Sequence, residues 1–91
     1  MDKPKIGDKV RLVGEEIDSI FDVGRVFEVH DSINEWWDTA HGEDKMGLMD
    51  SLEMYGPKKA ATAKWYAIVE NVEYPAETMA VASFECEPFA E

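Results

Sequence analysis

Residues 5–30, KIGDKVRLVGEEIDSIFDVGRVFEVH, read as two β-strands joined by a ten-residue acidic loop. Over residues 6–13 the apolar Ile6, Val10 and Leu12 share one parity, and Lys9 and Arg11 take the other. That period of two marks a strand with one face in a core and one in water. Residues 24–30 repeat the logic, with Phe27 and Val29 as the expected core pair. The loop between them is expected to fold Ile17, Ile20 and Phe21 back onto the sheet and leave Glu15, Glu16, Asp18 and Asp22 outside. Gly24 closes it, a residue free to take positive φ where the chain turns into a strand.

The C-terminal third carries the matching strands. Residues 64–72, KWYAIVENV, are rich in the side chains a pleated surface favours. A turn around Pro75 leads to a strand over residues 78–84, TMAVASF, and residues 85–89 form a short closing piece ended by Pro88. Both parities are apolar here: Trp65, Ala67 and Val69 against Tyr66, Ile68 and Val72, then Met79 and Val81 against Ala80, Ala82 and Phe84. Strands apolar on both faces must be covered on both faces. One cover is the core; the other is either a helix of this chain or a partner.

The middle of the chain supplies that helix. Leu48, Leu52 and Tyr55 fall at i, i+4 and i+7, with Met46 and Met49 beside them, which predicts an amphipathic helix over residues 44–55. Gly56-Pro57 is the expected stop. Upstream, Ser32-Ile33-Asn34-Glu35 matches a capping box and predicts a short helix over residues 33–41, ended by Gly42. Residues 58–63 read as a mobile return.

Twenty carboxylates against nine Lys and Arg leave a formal charge of −11. No basic residue follows Lys64, whereas six Glu do. Nucleic acid and anionic membrane surfaces are both bound through Lys and Arg, so neither is an expected partner. The lone Cys86 excludes an internal disulfide and fits a reducing compartment. Flanked by Glu85 and Glu87, it is expected to be an inert thiol. With no long apolar run and no leader pattern, the expectation is a soluble cytoplasmic protein.

The succession K-I-G-D-K-V-R-L-V, an acidic loop, G-R-V-F-E-V, W-Y and A-S-F-E resembles the SH3-like small barrels encoded by bacteriophages and bacteria. It covers about a third of the chain and departs from the usual pattern in residues 31–63, which most small barrels lack. The resemblance implies a mainly β fold: one domain over residues 1–91, a five-stranded SH3-like barrel with a helical insertion between strands 2 and 3. It implies nothing firm about activity, because this fold hosts many unrelated roles.

Catalytic and metal chemistry find little to stand on. His30-Asp31 and His41-Gly42-Glu43-Asp44 are the metal candidates, and neither has the spacing of a ligand set. There is no nucleophile elbow or Gly-rich phosphate loop. No catalytic residue, cofactor or metal site is therefore expected. The segment between Asp31 and Gly56 instead joins apolar anchors to seven carboxylates and a single base, Lys45. Trp, Tyr and Met are enriched where proteins bind one another. The expected partner-binding residues are Trp36, Trp37, Asp38, Glu43, Asp44, Met46, Met49, Asp50 and Glu53, facing a protein with a basic surface. Two functions compete. The first is a non-enzymatic phage-type accessory protein that modulates or inhibits a host or defence protein, in its sharpest form by nucleic-acid mimicry. The second is a housekeeping peptide-binding or assembly module whose acidity confers only solubility.

Overall fold

Alternation builds the first strand: Val10 and Leu12 are buried, and Lys9 and Arg11 point the other way over β1 (Lys9–Leu12). In the computed structural model, which describes residues 1–14, 17, 22–32 and 42–89, β1 begins three residues later than the alternation suggests. Gly7 takes φ +98°, and its amide donates to Val26 O at 2.7 Å. That turn ends the strand and leaves Ile6 70% exposed, so Ile6 is not a core residue.

β2 (Val23–His30) holds a second correction. The pairing with β3 (Tyr66–Asn71) runs Val26↔Val69 and then Glu28↔Ile68, which leaves Phe27 as the extra residue of a β-bulge. A bulge shifts the parity by one. Val26 and Val29, three apart, therefore share the inner face, and Phe27 packs on the outer one. Gly24 does not use positive φ at all. It sits inside β2, where a Cβ would stand 2.8 Å from the Cβ of Val69. What makes glycine necessary there is space.

The five strands, completed by β4 (Thr78–Ala82) and β5 (Cys86–Pro88), form one antiparallel sheet in the order β4-β3-β2-β1-β5. The two outermost strands are joined by a single 3₁₀ turn, Ser83–Glu85. A flat sheet would hold them about 19 Å apart, four spacings of about 4.8 Å. Four residue steps of chain reach at most about 14 Å, so the sheet must curl until its edges approach. It stays open all the same, because no ladder joins β4 to β5 among the described residues.

The curl encloses the inner core. Val10, Leu12, Val26, Trp65, Ala67, Val69, Val81 and Cys86 form it, so every strand contributes. The indole N–H of Trp65 is buried without a hydrogen-bond partner among the described residues, a cost of about 1–3 kcal/mol. On the outer face lies a second core of Ile68, Ala80 and Ala82 under Leu48 and Leu52. The two parities of β3 and β4 thus divide as their sequences predict.

The cover on the outer face is α1 (Gly42–Tyr55), which packs on β4. Ala80 and Ala82 keep that surface low enough for Leu48 and Leu52 to reach it. Each buried Leu contributes about 1.5–3 kcal/mol. Gly56, at φ +91°, ends α1. Residues 58–63 are not a plain return. Pro57 opens a further helical turn, α2 (Pro57–Ala60), because proline's fixed φ suits the first position of a helix. The short helix expected over residues 33–41 lies outside the described residues.

Candidate functional site

Helical spacing sorts the expected partner-binding residues. At 100° per residue, Leu48 and Leu52 define the buried side of α1. Met46, Met49, Asp50 and Glu53 then fall within about 100° of one another on the opposite side. The structure agrees: Met46 is 69% exposed, Met49 41%, and Asp50 and Glu53 are exposed too. Met54, one turn beyond Asp50, extends the ridge at 71% exposure. Glu43 and Asp44 lie in the first turn of α1, of which only the backbone is described. Trp36, Trp37 and Asp38 fall outside the described residues.

Glu53 gains nothing from the helix dipole. The C-terminal end of a helix carries a partial negative charge and favours cations, by about 0.3–1 kcal/mol for each. The last turn of α1 has no basic residue, and Glu53 stands in it. Neither Asp50 nor Glu53 is ion-paired with a described residue. The ridge therefore holds exposed thioethers one helical turn from carboxylates that have no ion-pair partner among the described residues.

A second candidate lies where α1 ends. Gly14, Tyr55, Lys59 and Phe84 line a cleft of about 360 Å³. Tyr55 and Phe84 meet edge to face at 5.0 Å and 85°, and the Lys59 ammonium sits 5.2 Å from the centre of the Phe84 ring. Beneath them Glu85 is 1% exposed. Its Oε2 accepts from the Tyr55 hydroxyl at 2.9 Å, and its Oε1 accepts from the Ala82 amide at 3.0 Å. Glu85 thus closes the 3₁₀ turn and ties α1 to the sheet with one side chain. Gly14 makes room for this, because a Cβ there would lie 2.5 Å from the Tyr55 hydroxyl. Sequence pattern alone puts Glu85 in a short closing piece and misses this role. The available signal is a Glu three residues after Ala82, the far half of a capping box.

The remaining groups are tied into the scaffold. Lys9 and Arg11 lie over the Phe89 ring at 6.0 and 5.7 Å, and Arg11 pairs with Asp22 and Glu87. The metal candidate His30-Asp31 splits: His30 Nε2 is 3.5 Å from Glu28, and Asp31 pairs with Lys3 at 2.8 Å. Among the described residues no three His, Cys, Asp or Glu converge as metal ligands. Burial, and secondly the Glu85 carboxylate, pushes the Cys86 thiol up to about 12. That leaves it protonated and unreactive. Among the described residues no helix is long and apolar enough to cross a membrane. No protein-family model matches the chain, and neither a curated protein nor a solved structure matches it.

Proposed function

We propose that this chain is a non-enzymatic interaction protein of the phage accessory type, and that it modulates a host or defence protein by docking its acidic α1 ridge on that protein's basic surface. The scaffold in this reading is an SH3-like barrel with α1 and α2 inserted between strands 2 and 3. The strand order, the curl and the 3₁₀ turn before β5 support it. The observation that carries the function is the solvent face of α1, where Met46, Met49 and Met54 stand exposed beside Asp50 and Glu53, neither of them ion-paired with a described residue. In its sharper form the partner's basic surface is its nucleic-acid site, and this protein occupies it by mimicry.

The test is capture from bacterial lysate with the native chain and with an Asp50→Lys, Glu53→Lys variant. A partner of the ridge is retained by the native chain, released as salt rises, and held more than about tenfold more weakly by the variant, or about 1.4 kcal/mol. Capture indifferent to the charge reversal overturns the reading. Duplex DNA competing for the captured protein supports mimicry, and simultaneous binding of both rejects it.

The cleft of Gly14, Tyr55, Lys59 and Phe84 favours a second reading, a peptide-binding module. Its aromatic edges and cation suit an extended segment. Phe84→Ala abolishes binding in that case, and the ridge variant leaves it intact.

A further inference from the structure

We infer that the segment received by the α1 ridge is a basic amphipathic helix; this rests on the docking function proposed above and names its partner. Over the middle turns of α1 the backbone is paired within the helix, so the ridge there presents side chains. An extended segment laid along it would bury carbonyls for which Met46, Met49, Asp50, Glu53 and Met54 offer no donor, and each such group is costly. A helix arrives with its backbone already paired.

The side-chain pattern sets the chemistry of that helix. Met46, Asp50 and Met54 form one i+4 row, and Met49 and Glu53 form the row beside it. Apolar and anionic side chains thus alternate with a rise of about 6 Å per step. The complementary face carries aliphatic side chains with a Lys or Arg one turn away. Thioethers are flexible enough to seat aliphatic groups of different shape, so the ridge selects for pattern more than for identity. Charge excludes the other occupants. A second copy of the chain would bring another −11, and nucleic acid and anionic lipid are repelled by the same carboxylates.

The probe is a fluorescent synthetic peptide of Leu and Lys patterned at helical spacing, titrated with the full chain and compared with a scrambled peptide of equal composition. The patterned peptide is expected to bind at least about tenfold more tightly than the scrambled one and to gain helical circular dichroism on mixing. Met46→Ser with Met54→Ser should remove that preference while leaving the melting temperature unchanged. If both peptides bind equally and both respond to Asp50→Lys with Glu53→Lys, the contact is charge alone; the helix inference falls and the docking function stands. If neither peptide responds to that reversal, both fall.

Discussion

The buried face of α1 carries Leu48 and Leu52, and its exposed face carries Met46, Met49 and Met54. Both faces carry apolar side chains, but the chemistry differs. Leucine is branched and fills a defined space, which suits a core that must have one answer. Methionine is unbranched and polarisable, which suits a surface that meets shapes not built into the protein. How apolar this helix is in total says little about its role; which apolar residue faces which way says more.

The comparison breaks most directly at Leu48. Leu48→Ala should lower stability by about 2–5 kcal/mol through the lost burial and the cavity left between α1 and Ile68. Met46→Ala should change it by no more than about 0.5 kcal/mol. Urea unfolding of both variants measures this, and equal losses would mean that the two faces are not different in kind.

A smaller effect sharpens the anchoring of the buried face. Gly14→Ala must hold φ near +126° and push the Tyr55 hydroxyl off Glu85. A loss of about 1–3 kcal/mol is expected. Faster hydrogen exchange at the Gly56 amide, which donates to Leu52 O, would show α1 loosening at that end.

The pH-dependent effect sits in the inner core, away from α1. The Cys86 thiol has its pKa raised from 9.0 to about 12 in the folded chain. The unfolded chain therefore loses that proton first as pH rises. Its contribution is complete below pH 9 and declines toward pH 12, by at most about 1.4 kcal/mol per pH unit. Denaturation of the native chain and of Cys86→Ala across that range isolates it, since the variant lacks this slope while its other titrations remain.

Much of the scaffold was legible because period is a local property. The two parities of residues 65–69 and 79–82 named both cores correctly, and the spacing of Leu48, Leu52 and Tyr55 oriented α1. The same 100° step puts Asp50 and Glu53 opposite Leu48 and Leu52, and it puts Met46 there too, not beside the apolar stripe. Failures came where one residue breaks the period or where partners are distant in sequence. The bulge at Phe27 exchanged Val26 for Phe27 in the inner core, and Gly7 turned Ile6 into solvent. Pro57 both follows the end of α1 and starts α2, two roles that one residue does not separate in sequence. Glu85 finds Tyr55 thirty residues away, and no local pattern announces a buried carboxylate whose partner sits on another element.

One ladder reaches furthest along the chain: Leu12 pairs with Cys86 and Val10 with Pro88. During synthesis β1, β2, β3 and β4 can pair as neighbours, while the other edge of β1 waits for β5. Contacts of long sequence separation come at a high entropic cost and slow the search. The inner core, which needs Cys86 against Leu12, cannot be sealed until the last strand has left the ribosome. Until then Val10 and Leu12 remain on view, and this protein's most vulnerable interval falls between the making of its first strand and the arrival of its last.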